Sequence, residues 1–309
     1  MRIGLTGGGS STDRIVAQAQ QAEADGFSAL WYASAVAGDP LVAMAIAGRA
    51  TTSIELGTAV LQTYPCHPLL QANRVAAAAN AMGRPGLTLG LGPSHEPIVR
   101  GVLGLSYDHP ARNTAEYLGI VTDLLAGVEV DVDGTDWSTH SAGRMVALDH
   151  PVPVLLSAMS PRMLGIAAEF ADGVVLWMAS ATAIGNRIAP ILREATAVRG
   201  RPAPRIVAGL PVAVHDDADQ ARAAISATAS GYAGMTNYQR IIHAGGGTEA
   251  ADVAIVGDEA AVARQLGELC DAGATDIWAQ PVAVGDDRAQ LSASLKRTRG
   301  LLGELARGG

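Results

Sequence analysis

Short apolar runs alternate with longer amphipathic segments along almost the whole chain, and this alternation constrains the fold more than any other feature. Each run of four to ten mostly apolar residues precedes a segment with helical spacing of apolar residues. Strands that alternate with helices favour a parallel sheet covered by helices. Near-continuous apolar strands are typical of sheets buried on both faces. The eight predicted strands are residues 2–6, 28–33, 54–61, 86–92, 153–158, 173–178, 205–214 and 276–282.

Eight consecutive strand–helix units in 309 residues fit a single (β/α)8 barrel (a TIM barrel) over residues 1–309. The alternative is an open, doubly wound α/β sheet. Its usual phosphate-binding signature is weak here, because "LTGGGSS" (5–11) is not G-x-G-x-x-G and no acidic residue closes the second strand. We therefore predict the α/β barrel, with one long helix after the seventh strand.

The alternation breaks at residues 128–150, which are polar and contain the turn dipeptide Asp133-Gly134. We interpret this segment as a hairpin-like insertion in the barrel.

The composition excludes several classes of protein. The net charge is −8 and basic residues do not cluster, so we expect no nucleic-acid partner. No apolar run reaches membrane-spanning length, and the N-terminus lacks the layout of a signal peptide. Cys66 and Cys270 are far apart, which argues against a metal site. We expect a cytoplasmic protein that binds a small-molecule substrate, without membrane or metal.

The active site of a (β/α)8 barrel lies at the C-terminal ends of its strands. At these positions His95 and Glu96 are the clear acid–base candidates, and we predict that His95 is catalytic; a solvated or structural histidine is the alternative. The strand ends offer no paired carboxylates for glycosyl transfer, and the sequence has no G-x-S-x-G motif. The C-terminal ends of the strands thus carry few ionisable groups. A site of this kind suits a reaction in which a cofactor supplies the chemistry.

The loop after the fifth strand, "SAMSPRM" (157–163), is the candidate anion site. Ser160 is a good N-cap and Pro161 suits the first helical position. The free backbone N–H groups of such a helix start attract anions, and Ser157 and Arg162 add a hydroxyl and a positive charge. An ordinary capped helix is the alternative. Trp177, late in the sixth strand, either lies in the core or forms the wall of a site for a planar ligand.

Five segments together resemble the bacterial luciferase superfamily, specifically its branch that uses the deazaflavin coenzyme F420. That branch includes methylenetetrahydromethanopterin reductase and F420-dependent glucose-6-phosphate dehydrogenase. The segments are "GFSALWYAS" (26–34), "ELGTAVLQTYPCHP" (55–68), "LGLGPSHEPIVRGVLGLSYDHP" (89–110), "VPVLLSAMSPRMLGIAAEFADGVVL" (152–176) and "IVGDEAAVARQLGELCDAGATDI" (255–277).

The resemblance implies a luciferase-like (β/α)8 barrel with an insertion region. It also implies a bulge with a non-prolyl cis peptide at Ala59–Val60, behind the deazaflavin ring, and a phosphate-binding loop at Ala158–Pro161. The motif positions and the loop chemistry together yield eleven cofactor-binding candidates. They are Ser34, Ala59, Val60, Gln62, Ser157, Ala158, Met159, Ser160, Pro161, Arg162 and Trp177.

The chain departs from the sugar-phosphate members of that branch in three places. Ala33-Ser34 stands where those members have Asp-His, and His95 stands where they have a catalytic Glu. Their substrate-phosphate-binding basic residues have no counterpart at residues 177–180. We therefore expect a substrate less polar than glucose 6-phosphate, with His95 as proton donor or positioning group.

These features predict an F420-dependent oxidoreductase that transfers a hydride between C5 of the deazaflavin and a small organic substrate. The alternatives are an FMN-dependent monooxygenase of the same superfamily and a non-catalytic barrel that binds a flavin or metabolite. We also expect a homodimer, in which the alanine-rich helix predicted over residues 67–82 packs against a partner.

Overall fold

The protein is a closed barrel of eight parallel strands, and the predicted (β/α)8 fold is confirmed. The computed structural model describes residues 1–34, 38–145, 147–232 and 234–308. The strands are β1 (Arg2–Gly7), β2 (Ala29–Tyr32), β3 (Glu55–Thr58), β4 (Leu61–Gln62), β5 (Leu87–Gly92), β6 (Asp131–Asp133), β7 (Ser138–His140), β8 (Val154–Leu156), β9 (Gly173–Trp177), β10 (Arg205–Val214), β11 (Ile255–Gly257) and β12 (Asp276–Pro281).

Helices follow most of the barrel strands and surround them. They are α1 (Thr12–Ala24), α2 (Pro40–Arg49), α3 (Pro68–Met82), α4 (Glu96–Gly101), α5 (Pro110–Leu125), α6 (Pro161–Phe170), α7 (Ala181–Ala183), α8 (Ala189–Val198), α9 (Ala218–Ala229), α10 (Thr236–Ala244), α11 (Glu259–Asp271) and α12 (Arg288–Arg307). A π-helical turn, Ile184–Ile188, joins α7 to α8.

The barrel strands run in the order β1, β2, β3, β5, β8, β9, β10 and β12, and β12 then pairs with β1. The closing register places Arg2 beside Asp276 and Ile3 beside Ile277. Each barrel pairing is parallel, so the C-terminal ends of all eight strands meet at one rim. Loops on that rim can carry a functional site over a packed core.

The third predicted strand, 54–61, is not continuous. β3 ends at Thr58, the Ala59–Val60 peptide bond is cis, and β4 then pairs with β5. The Thr58 hydroxyl donates to the carbonyl oxygen of Gly90 and accepts from its N–H, each at 2.8 Å. A Cβ atom at Gly90 would collide with the carbonyl oxygen of Thr58. Glycine therefore lets the bent segment pack against β5.

The prediction of one long helix after the seventh strand is wrong. Helix α9 ends at Ala229, and the separate helix α10 and strand β11 precede α11. The three glycines Gly245, Gly246 and Gly247 end α10, because Gly246 adopts a positive φ of 85°. The excursion between α9 and β11 lies at the rim of the barrel, where its side chains line the cavities described below.

Residues 131–140 form an antiparallel hairpin within the segment where the sequence predicts a hairpin-like insertion. β6 and β7 pair with Val132 opposite Thr139. The carboxylate of Glu116 on α5 accepts the backbone N–H groups of Thr135, Asp136 and Trp137 at 2.7–3.2 Å. These bonds attach the hairpin to the outside of the barrel.

A buried ionic network closes the opposite end of the barrel. The Arg205 guanidinium donates to Asp276 at 2.6 and 2.9 Å and to Glu55 at 2.7 and 2.9 Å. Burial would raise the pKa of Asp276, but the hydrogen bonds and charge of Arg205, together with hydrogen bonds from Arg2 and Thr275, outweigh it and hold that pKa below its usual value. Three barrel strands, β3, β10 and β12, are joined by these contacts.

Candidate active site at the barrel mouth

Two adjoining cavities open at the C-terminal ends of the strands. The outer cavity has a volume of about 320 Å³ and lies against the start of α6, the loop after β5 and α10. The inner cavity has a volume of about 150 Å³ and extends toward the barrel axis. Val60, Ser157 and Tyr238 line both cavities, so the two spaces meet at these side chains.

The wall shared by the two cavities is apolar and closely packed. It is formed by the segment around the Ala59–Val60 bond, whose cis geometry is the one that the resemblance implied. A Cβ atom at Gly92 would lie only 2.8 Å from Cγ2 of Val60 and 3.2 Å from Cβ of Ser157. A glycine at position 92 therefore lets Val60 keep its position in this wall.

The start of helix α6 forms one side of the outer cavity. Ser160 is the N-cap, and its Oγ accepts the N–H of Met163 at 3.4 Å. Pro161 occupies the first turn, where its missing N–H costs nothing. Met159, Ser160, Pro161 and Met163 all line the cavity. The positive end of the helix thus faces the cavity, an arrangement that favours an anion.

Two arginines add positive charge to the same cavity. Arg187, from the π-helical turn before α8, and Arg240, from α10, both line it. Neither makes an ion pair with the described residues. No carboxylate from the described part of the chain lines the cavity. The electrostatics of the outer cavity therefore favour a ligand that carries a phosphate or another anion.

His95 lies half-buried in the outer cavity. It precedes α4, which begins at Glu96, and its ring contacts that of Tyr238 with centroids 5.3 Å apart. Burial lowers the pKa of His95, which favours the neutral imidazole. Glu96 is exposed and paired with Arg100 at 2.9 Å. The structure thus separates the two acid–base candidates, and His95 is the one that faces the cavity.

Ser94 supplies a buried polar atom to the same cavity. Its backbone has a φ of 63°, and the hydroxyl of Tyr107 donates to its carbonyl oxygen at 3.0 Å. The Ser94 Oγ atom is buried and has no hydrogen-bond partner among the described residues. A buried hydroxyl without a partner is costly, so a polar ligand atom at this position would satisfy it.

Aromatic rings surround the inner cavity. The Trp177 ring lies 4.8 Å from that of Trp278 and 6.0 Å from that of Tyr232, between centroids. Tyr232 in turn contacts Tyr238 at 5.1 Å. β9 and β12 supply the tryptophans, whereas the excursion between α9 and β11 supplies the tyrosines.

The structure brings most of the predicted site residues together. Val60, His95, Ser157, Met159, Ser160 and Pro161 line the outer cavity, and Ala59, Val60, Ser157 and Trp177 line the inner one. The other four candidates, Ser34, Gln62, Ala158 and Arg162, are not among the described lining residues. Ala158 is 1% exposed and packs in the core, and Arg162 is exposed on α6.

Among the lining residues that sequence reasoning missed, six carry a charge, an amide or an aromatic ring: Arg187, Tyr232, Asn237, Tyr238, Arg240 and Trp278. Four of them belong to the segment that the sequence assigned to one long helix after the seventh strand. The tyrosines there, followed by three consecutive glycines at 245–247, were the available signal for a separate segment at the rim.

The described residues contain no helix that is both long and apolar enough to cross a membrane. Among those same residues, no group of three or more His, Cys, Asp or Glu side chains is arranged to hold a metal ion.

Parts of the chain are similar to enzymes of known name. The chain is 29% identical to 5,10-methylenetetrahydromethanopterin reductase of Methanolobus tindarius over 164 residues, which cover 53% of this chain and 49% of the reductase. It is 28% identical to F420-dependent glucose-6-phosphate dehydrogenase of Beutenbergia cavernae over 201 residues, 63% of this chain and 59% of that enzyme. The matched region is therefore about half to three fifths of each relative.

The fold is also that of a solved structure. The coenzyme F420-dependent tetrahydromethanopterin reductase of Methanopyrus kandleri superposes with a TM-score of 0.74 and 19% identity, covering 98% of this chain and 97% of the reductase. The profile of the luciferase-like monooxygenase family matches residues 2–302, which is nearly the whole chain. The chain therefore belongs to the luciferase-like monooxygenase family.

Proposed function

We propose that this protein is an F420-dependent oxidoreductase that transfers a hydride between C5 of the deazaflavin and a small organic substrate. One observation carries the proposal: the apolar wall at Ala59–Val60 adjoins a capped helix start and two arginines that make no ion pair with the described residues. A tricyclic ring with a phosphate on its side chain requires these two environments next to each other. Relatives that are named as F420-dependent enzymes support the choice of coenzyme.

The residues of the outer cavity divide the binding of such a coenzyme between them. Val60 provides the surface for the ring, and Ser94 Oγ offers a hydrogen bond to a polar ligand atom. The start of α6 and the guanidinium groups of Arg187 and Arg240 bind the phosphate. The coenzyme, when bound, supplies or accepts the hydride.

His95 is the proposed proton donor or positioning group. Its neutral imidazole carries one N–H that can donate to a substrate oxygen or nitrogen. The ring of Tyr238 packs against the imidazole and shields that side of it from water, which strengthens such a hydrogen bond. The exposed Glu96 is engaged with Arg100, so we do not assign it a role.

Titration of the purified protein with oxidised coenzyme F420 and, separately, with FMN tests the proposal. We expect F420 to bind tightly and FMN to bind weakly. Tight binding of FMN without binding of F420 would overturn the choice of coenzyme. It would favour the second candidate, a flavin-dependent monooxygenase, for which the family profile is named. That candidate predicts flavin-dependent consumption of oxygen, whereas a non-catalytic binding barrel predicts no turnover with any substrate.

A further inference from the structure

We propose that the inner cavity is a substrate subsite for an uncharged six-membered-ring ketone whose oxygen accepts a hydrogen bond from the indole N–H of Trp177. The inference rests on the proposed function, since it places the coenzyme in the outer cavity and the substrate beside it. Four properties of the inner cavity carry it: its volume, its charge, its walls and one unpartnered donor.

The volume limits the size of the ligand. The inner cavity measures about 150 Å³, and apolar cavities of about that volume bind benzene. While the coenzyme fills the outer cavity, one six-membered ring with a small substituent therefore fits in the inner one, whereas two fused rings do not. The shared side chains Val60, Ser157 and Tyr238 place this space directly beside the outer cavity.

The charge of the lining excludes ions. Every described residue that lines the inner cavity is uncharged at neutral pH. Burial raises the pKa values of Tyr232 and Tyr238 above 10, so both phenols stay protonated. A carboxylate or phosphate placed here would lose its hydration without gaining a cationic partner. The two arginines of the mouth line the outer cavity instead.

The walls favour a ring. Trp177, Trp278 and Tyr232 present aromatic faces, with the two indoles 4.8 Å apart between centroids and tilted by 37°. Rings in offset or tilted contact gain free energy beyond the burial of their area.

The donor that requires an acceptor belongs to Trp177. This side chain is 7% exposed, and its Nε1 atom is buried without a hydrogen-bond partner among the described residues. Burial raises the pKa of the Tyr232 phenol, and the nearby indole N–H of Trp177 lowers it by a smaller amount. The indole N–H and the phenol oxygen nevertheless do not reach hydrogen-bond geometry. The other indole is satisfied, because Trp278 Nε1 donates to Thr6 Oγ1 at 2.9 Å. A ketone oxygen would accept a hydrogen bond from this indole N–H, which has no partner among the described residues.

Isothermal titration calorimetry of the coenzyme-free protein tests this subsite directly. Four probes are compared: cyclohexanone, cyclohexane, cyclohexanecarboxylate and 1-decalone. We expect cyclohexanone to bind more tightly than cyclohexane by about three- to tenfold, the value of one net hydrogen bond. With saturating coenzyme in the outer cavity, where Arg187 and Arg240 lie, the carboxylate and the two-ring ketone should bind at least about a hundredfold more weakly than cyclohexanone, for lack of a free cation and of space.

Two matched variants locate the donor. Trp177→Phe keeps an aromatic ring but removes the free N–H, so it should abolish the preference for cyclohexanone over cyclohexane. Trp278→Phe shortens a ring of the same cavity by the same amount, but it removes an N–H that is already bound to Thr6. This variant should weaken the binding of cyclohexanone and of cyclohexane by the same factor, so the ratio of the two affinities should stay unchanged. Equal ratios in the two variants would overturn the role of Trp177.

Three further outcomes distinguish a failure of the ketone subsite from a failure of the proposed oxidoreductase function. If coenzyme F420 displaces cyclohexanone, the inner cavity belongs to the coenzyme and the subsite is wrong. If cyclohexanone shows no binding with or without the coenzyme, the subsite is also wrong, while the proposed function stands on coenzyme binding. If cyclohexanone binds as described and neither F420 nor FMN binds, the oxidoreductase function fails and the ketone subsite stands.

Discussion

The rings of His95 and Tyr238 lie in contact, with centroids 5.3 Å apart and planes at 52°. His95 follows β5 and Tyr238 lies on α10, so the contact joins the candidate proton donor to the excursion after the seventh barrel strand. Because Tyr238 also lines both cavities, one side chain sets the environment of the histidine and the passage between the two spaces.

The first prediction concerns the pKa of His95, which burial holds below 6.5. Tyr238→Ala should admit water, favour the charged imidazolium and raise this pKa toward 6.5. Tyr238→Phe keeps the ring and should leave the pKa low. NMR titration of the imidazole signals measures both shifts. An unchanged pKa in Tyr238→Ala would show that other groups desolvate His95.

The second prediction concerns the helix start at Ser160. Ser160→Ala should cost about 0.5–2 kcal/mol of stability and also weaken coenzyme binding several-fold. Ser11 provides a matched control, because it caps α1 with the same distance of 3.4 Å to a backbone N–H and does not line the outer cavity. Thermal unfolding should show similar losses for both variants, and coenzyme titration should show a loss for Ser160→Ala alone. Equal coenzyme affinity in the two variants would remove α6 from the anion site.

The third prediction concerns the packing of Val60. Gly92→Ala places a methyl group 2.8 Å from Cγ2 of Val60 and should displace the wall of the cavity. We expect coenzyme affinity to fall at least about tenfold, since reshaping a close-packed wall disturbs every contact of a flat ring. Gly101→Ala, whose added methyl group would have nothing within 4 Å, is the control and should bind normally. A Gly92→Ala protein with full affinity would place the ring elsewhere.

The fourth prediction concerns Arg205 at the closed end of the barrel. Arg205→Leu leaves Asp276 and Glu55 without their main cation, and the expected cost is about 3–5 kcal/mol in the free energy of unfolding. The lowered pKa of Asp276 stabilises the native state above about pH 4, and this contribution is lost as the pH falls through that lowered pKa.

In Arg205→Leu, Asp276 keeps only the hydrogen bond from the half-exposed Arg2 as a cationic partner, so burial is less fully offset. The pKa of Asp276 should therefore rise, and the native state of the variant should bind its proton at a higher pH than the native state of the unmodified protein. The difference in the free energy of unfolding between the variant and the unmodified protein should therefore become smaller as the pH falls from about 5 to about 3. Urea unfolding across that range measures it. Arg297→Leu, which breaks an exposed network with Glu259 and Asp216, should cost only about 0–1 kcal/mol. A similar cost for both variants would contradict the role of burial.

The fifth prediction concerns the expected homodimer. Helices α2 and α3 pack side by side and expose Val42 (58%), Ile46 (41%) and Leu70 (56%). We propose that this face meets its copy, because large apolar side chains exposed on two neighbouring helices favour an interface. Leu70→Asp should shift the mass measured by light scattering from dimer to monomer. Val198→Asp, at a position 80% exposed on α8, should not change it. A monomeric unmodified protein would refute the dimer.

Much of the site follows from local rules that the sequence displays. Ser160 and Pro161 obey helix-capping preferences, and the structure places both at the helix start that faces the outer cavity. The resemblance implied the cis bond at Ala59–Val60, which the structure contains. The role of His67 is also local: it caps α3 through Nδ1, which accepts from Leu69, and its Nε2 contacts the carbonyl oxygen of Ser138 at 3.0 Å.

The sequence by itself determined the barrel, because the period of apolar runs and helices is a property of neighbouring residues and leaves few ways to close eight parallel strands. Only the tertiary structure decided what faces the mouth. Arg240 and Tyr238 lie more than 140 positions from His95 in the chain, and no local pattern brings them to one cavity. Their placement depends on how the excursion after β10 folds back over the rim, and contacts between distant segments set that path.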